Sequence, residues 1–293
     1  MEVKKLLDLF REETPRSPSE LIQIWAVFWA NFKIFLSYKT WVITETVSTI
    51  ASITMYFFMG LQVEAGKLIE TGFGNVSWLA FALVGVASAN YLGMCINRIS
   101  SSMHLEVREG TFEIIISSPI RLRSYIIGQS IRGFLVSGYY MMGVFLVGIF
   151  ILKVPLIVTP ETILSFFTII LFMVTSYLGI GVMAAGITLV YKKGDPLTFL
   201  FASITEFLGG VLFPLNYLKN YPLLWMLAWL MPYTYALDAA RKVLLTGATL
   251  ASPNVFNDLI VLTIYIVVFI PLGLIVFRWS YNRMRNEGTA GTY

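Results

Sequence analysis

Glu106-Val107-Arg108-Glu109-Gly110-Thr111-Phe112-Glu113, running on to Ser118-Pro119, is a charged stretch in a chain otherwise built for hydrocarbon. The apolar run 76–96 precedes it and the apolar run 126–152 follows it. Each is long enough to cross a bilayer, which takes about 20 residues. The stretch therefore reads as a link between two membrane spans. Phe112, Ile115 and Ile116 fall on one face of a short helix beginning near Thr111, which Pro119 helps to stop. Glu109 and Glu113 lie near its N-terminal end, where the helix dipole favours negative charge. Such a helix suits docking into a groove of another protein; an ordinary solvated connector is the other reading.

Composition widens the same conclusion. The 293 residues are 57% hydrophobic and 13% charged, with mean hydropathy +0.75, against about 25% charged in soluble domains. One packed core cannot absorb that much apolar surface, so the remainder must face lipid. Runs 42–61, 76–96, 126–152, 163–190 and 259–277 read as spans, and the shorter run 197–213 reads as a sixth. A further apolar stretch, 221–245, is interrupted by Pro222 and Pro232 and carries Asp238, Arg241 and Lys242. Proline removes an intrahelical hydrogen bond that lipid cannot replace. This stretch reads as a broken, re-entrant helix pair between spans five and six.

Basic residues orient the chain. Lys33, Lys39, Arg98, Arg108, Arg121, Arg123, Lys192, Lys193, Arg278, Arg283 and Arg285 fall on one side of these spans. They outnumber Lys67, Lys153, Lys219, Arg241 and Lys242 on the other. Both termini and the 106–119 loop are thus expected in the cytoplasm. Residues 1–13 are too charged for a secretory leader. Ser17-Pro18-Ser19-Glu20 has the form of a capping box. Leu21, Trp25, Phe28, Phe32 and Phe35 follow at helical spacing, opposite a smaller or polar stripe of Gln23, Ala26, Ala30, Lys33 and Ser37. That pattern predicts an amphipathic helix lying in the membrane interface.

The chemistry available is narrow. Cys95 is the only cysteine and His104 the only histidine, which argues against imidazole or thiolate metal sites. No G-x-x-x-x-G-K-[ST] phosphate loop occurs, so no cofactor is expected on this chain. The basic residues are scattered, which is not a nucleic-acid footprint. Glu45 and Glu206 are carboxylates within apolar runs and should face protein or water. A polar group on a translocation path and a carboxylate that ties helices together are both open readings, and Lys39 is within reach of Glu45. Gly209, Gly210 and Pro214 permit a bend at the end of span five. Trp225, Trp229, Tyr233 and Tyr235 suit a membrane–water boundary.

Two blocks carry a resemblance to a known family, the permease subunits of type-2 ABC exporters. The first is 106–128, EVREGTFEIIISSPIRLRSYIIG, with its charged pair, Gly-Thr-aromatic-Glu, apolar run and Ser-Pro. The second is 209–247, GGVLFPLNYLKNYPLLWMLAWLMPYTYALDAARKVLLTG. It resembles the family's Gly-x-x-Phe-Pro, a middle apolar segment, Pro-hydroxyl/aromatic-Tyr-Ala, a later Arg and a closing Gly.

The resemblance implies an all-α integral membrane protein: an interfacial segment at 1–40, a six-span domain at 41–280 and a cytoplasmic tail at 281–293. Within it, a coupling helix at about 106–119 would seat on a separate ATP-binding-cassette subunit that holds ATP and Mg, through Glu109, Gly110, Thr111, Phe112, Glu113 and Pro119. A second permease copy would complete the transporter in the cytoplasmic membrane. Glu206, Phe207, Phe213 and Glu45 would line the substrate path. Gly209, Gly210, Pro214, Pro232 and Tyr235, in the outer segment at about 214–247, would form the outer gate. The implied activity is export of a hydrophobic or amphipathic substrate (drug, lipid or lipid-linked glycan), with catalysis left to the partner. An ion- or proton-coupled carrier using Glu45 and Glu206 is the alternative. Interrupted spans would then be expected in both halves, whereas only the region after span five is interrupted.

Overall fold

Long uninterrupted apolar runs leave the backbone one way to satisfy its polar groups in hydrocarbon, and the computed structural model is accordingly helical throughout its regular structure. It describes residues 18–62, 76–191 and 203–287. Among these, α1 spans Glu20–Ser37, α2 Lys39–Gln62, α3 Trp78–Arg108, α4 Phe112–Ser117, α5 Leu122–Leu146 and α6 Pro160–Tyr191. Residues 203–208 are helical. A 3-10 turn at Leu215–Asn220 then leads to α7 (Pro222–Trp229), α8 (Pro232–Thr246) and α9 (Pro253–Glu287). By length and composition α2, α3, α5, α6 and α9 can each cross a membrane.

The boundaries follow local chemistry. α3 runs well past the end of its apolar run because nothing breaks it before Gly110, whose φ of +72° only glycine adopts easily. α5 loosens into a π turn at Val147–Ile151. The interruption around the prolines resolves as expected: Pro222 and Pro232 start α7 and α8, where a missing N–H costs nothing. Gly247 ends α8 at φ +74°. One expectation is corrected: the span-five helix ends at residue 208, not 213, and residues 197–202 of that run lie outside the described residues. Helix α9 continues through Glu287.

The core is built on α3, α6, α8 and α9. α9 makes its most extensive contact with α6, and glycines set the approach. A Cβ on Gly179 would lie 2.1 Å from the Phe269 carbonyl oxygen, and one on Gly273 would lie 2.4 Å from the Gly179 oxygen. Pro271 stands in this stretch of α9. α2 is the opposite case. Its apolar window is 6% buried, against 67% for that of α3, so nearly all of α2 faces lipid or another molecule.

Gly179→Ala should therefore destabilise the chain by about 1–3 kcal/mol, the usual cost of overpacking. Gly93→Ala meets no heavy atom within 4 Å and should be neutral or raise stability by about 0.5 kcal/mol. Thermal unfolding of the two variants in detergent checks the contrast.

Candidate functional site

Two regions at opposite ends of α3 gather the predicted residues. At its C-terminal end, Gly110 reverses the chain and α4 follows. Glu109, Gly110 and Pro119 are exposed and Thr111 is half-buried, while Phe112 and Glu113 form the first turn of α4. Ile114 is 67% exposed, whereas Ile115 packs with Ile120 onto a cluster of Val27, Tyr125, Val182, Phe277 and Met284. The short helix therefore has one seated face and one bare face.

Two hydrogen-bonded systems hold that seat. Glu106 turns inward, where its carboxylate accepts from the Thr111 hydroxyl and, at 3.0 Å, from Tyr125. The Tyr125 hydroxyl in turn accepts from buried Gln129 at 3.0 Å. α1 supplies the second system. Gln23 is 2% exposed; its amide donates to the Pro18 carbonyl and its oxygen accepts from the Arg121 N–H, both at 2.9 Å. Glu20 pairs with Arg121 and Arg123.

This corrects the reading of the N-terminal helix. Glu20 is the first helical residue instead of the closing member of a capping box, and Ser19 makes no side-chain cap. Ser17 lies outside the described residues. Gln23, placed on the polar stripe, is buried against α5, while Leu21 and Trp25 of the apolar stripe are exposed. Gly128 permits the contact, since a Cβ there would meet the Ile24 oxygen at 2.9 Å.

At the N-terminal end of α3 the backbone between residues 209 and 214 leaves the helix, with Gly210 at φ +69°. Carbonyls freed there need donors. Arg241 provides them. Its Nη1 donates to Gly210 O at 2.8 Å, and its Nη2 to Val211 O at 2.7 Å and Phe81 O at 3.2 Å. The guanidinium lies 3.3 Å from the Phe81 ring centroid and is 3% exposed. Burial pushes its pKa down to about 9, against the opposing pull of Tyr233 and Asp238. Gly85 leaves room for it, because a Cβ there would meet Val211 O at 2.3 Å and Arg241 Nη2 at 2.7 Å. Tyr233 closes the seam by donating to Gly85 O at 3.0 Å. A cavity of about 70 Å³ beside it is lined by Phe81, Gly209, Pro214, Asp238 and Arg241 among others.

The other gate residues frame this lock. Pro214 and Pro232 are buried, and Gly209 lies against Tyr233, whose ring would sit 2.3 Å from an added Cβ. Tyr235 meets Trp229 edge-on at 5.2 Å and lies tilted against Tyr265 at 6.5 Å, linking α7, α8 and α9. Lys242 bonds Asp238 at 2.6 Å and Asp258 at 2.7 Å, fastening α8 to α9. Burial pushes its ammonium pKa down, but the two carboxylates outweigh burial and raise it.

The residues predicted for the path are less gathered. Glu206 and Phe207 are exposed, with Phe213 edge-on to Phe207 at 6.3 Å. Glu45 lies near the start of α2, where it accepts a 2.9 Å bond from Trp41. Sequence reasoning missed Glu106, Tyr125, Gln129 and Gln23, and treated Arg241 as a loop charge. One signal for Arg241 was present: it shares a helical stripe with Tyr233, Leu237 and Leu244, all core residues.

Arg241→Lys, which keeps the charge but cannot fork across three carbonyls, should cost about 2–3 kcal/mol. Tyr233→Phe, removing one bond, should cost about 1 kcal/mol. Denaturation midpoints for the two variants decide the order.

The family description ABC-2 type transporter matches residues 22–245. No curated protein matches the chain.

Proposed function

The chain belongs to the ABC-2 type transporter family, and from that premise we propose that it is the permease subunit of an ATP-driven exporter in the cytoplasmic membrane. It is a multi-pass membrane protein of ABC type, and the family implies an ATP-binding-cassette partner. The family's membrane domain is a transport subunit, and ATP hydrolysis is assigned to that partner.

The observation that carries the reading is α4. It is a short helix between two long ones, seated on one side by Ile115 and bare on the other at Ile114. In the proposed cycle the segment with Glu109, Gly110, Thr111, Phe112, Glu113 and Pro119 docks on the ATPase as the coupling helix. Closure of the ATPase pair displaces this loop. The Glu106–Tyr125–Gln129 bonds deliver the push to α5, and the Gln23 and Glu20 contacts deliver it to α1. Both termini are then cytoplasmic, and the 209–247 region lies outside as the gate, with Gly209, Gly210, Pro214, Pro232 and Tyr235 at its hinges. The bare surface of α2 supports pairing with a second copy, with the route between the copies passing Glu206, Phe207, Phe213 and Glu45. The cargo is a hydrophobic or amphipathic compound.

Ile114→Glu tests the docking face, because a charge set into an apolar contact costs at least about tenfold in affinity. The variant should fold normally, lose co-purification with the partner ATPase and lose ATP-driven transport. Retained assembly and coupled transport would overturn the role of α4, and transport driven by a proton gradient without ATP would point to the carrier instead.

A further inference from the structure

The exposed membrane surface near Glu206 is chemically one-sided. On α2, the hydroxyls of Thr46, Thr49, Ser52 and Thr54 each donate to a carbonyl four residues back in their own helix, at 2.7–2.9 Å. Those donors are therefore engaged locally. Aromatic rings dominate what remains: Phe207 is 64% exposed and meets Phe213 edge-on. Tyr56, on α2, lies within electrostatic reach of Glu206.

Glu206 itself is exposed, and among the described residues no cation pairs with its carboxylate and no side chain donates to it. A carboxylate in a span faces protein or water and awaits a partner. The cations of the outer helix pair cannot serve an incoming anion either. Arg241 is shut in by three carbonyls, and Lys242 lies between Asp238 and Asp258.

Each substrate class makes a different demand on such a surface. A glycan headgroup needs many open donors and acceptors, and a phosphate-bearing lipid needs an available cation. A lipophilic cation needs one anion and aromatic faces, since a positive charge is attracted both to a carboxylate and to ring quadrupoles. The exposed Glu206 carboxylate and the exposed Phe207 ring meet the last demand. We propose that the cargo is an amphiphile carrying a single positive charge, such as a lipophilic amine or onium ion, recognised by Glu206 together with Tyr56 and Phe207. This rests on the exporter reading for the direction of movement, but the binding itself requires no partner.

The test uses the purified full-length chain and two probes of nearly equal size and opposite charge, tetraphenylphosphonium and tetraphenylborate, in equilibrium dialysis corrected with protein-free micelles. The wild-type chain should bind the phosphonium in preference to the borate. Glu206→Gln should weaken phosphonium binding by about tenfold or more, and Glu206→Asp should keep the preference for the cation. Thermal unfolding confirms that both variants are folded. If Glu206→Gln does not fold, Glu206→Asp and the wild-type choice between the two ions decide the matter. Phosphonium binding unchanged in a folded Glu206→Gln variant, or a wild-type preference for the borate, overturns the proposal. Assembly with the ATPase separates it from the exporter reading. Glu206-dependent phosphonium binding without ATP-driven transport leaves the site standing and removes the exporter. ATP-driven export of a neutral or anionic amphiphile that ignores Glu206→Gln keeps the exporter and removes the site.

Discussion

A helix that ends inside a membrane protein leaves carbonyls with no water to satisfy them, and here one buried guanidinium answers that need. Arg241 bonds Gly210, Val211 and Phe81 while lying on the Phe81 ring. The 209–214 break and the close approach at Gly85 both depend on it. Buried charge is ordinarily costly, yet forked donation to several carbonyls is the arrangement in which arginine tolerates it best. Because the three acceptors come from α3 and from the segment after residue 208, one side chain of α8 ties separate parts of the chain at a single point. Tyr233 and Lys242 reinforce the tie from the same helix, toward α3 and α9.

The other end of α3 uses a different strategy. Glu106, Thr111 and Tyr125 hold the loop down, and α1 crosses over α5 with Gln23 between them. The two ends thus differ in how firmly they are held. One is closed by buried bonds to the backbone; the other is latched by side chains, several of them half-exposed, in which ion pairs are weaker.

How much was readable in the chain depended on the range of the interaction. The break into α7 and α8 was legible because each proline acts within a few residues. The apolar runs placed α2, α3, α5, α6 and α9 for the same reason. Arg241 was not legible as a core residue: its partners Gly210 and Phe81 lie 31 and 160 positions away, and charge counting assumes that every basic side chain is solvated. Glu20 misled in the same way. Its local spacing suggests a cap, but Arg121, 101 positions on, claims the carboxylate. The end of the 203–208 helix was overestimated because Val211, Leu212 and Phe213 prolong the apolar run after the glycines have already turned the backbone.

The contact between α6 and α9 has a mechanical consequence. At Gly179 and Gly273 the two backbones meet with no side chain between them, so there are no rotamers to yield when one helix is pushed along the other. Sliding would drive main-chain atoms into one another, which close-packed protein resists. The pair is therefore the stator of this molecule. α2, whose apolar window is 6% buried, is held far less tightly within one copy, so the stiffness of the molecule is concentrated where α6 meets α9.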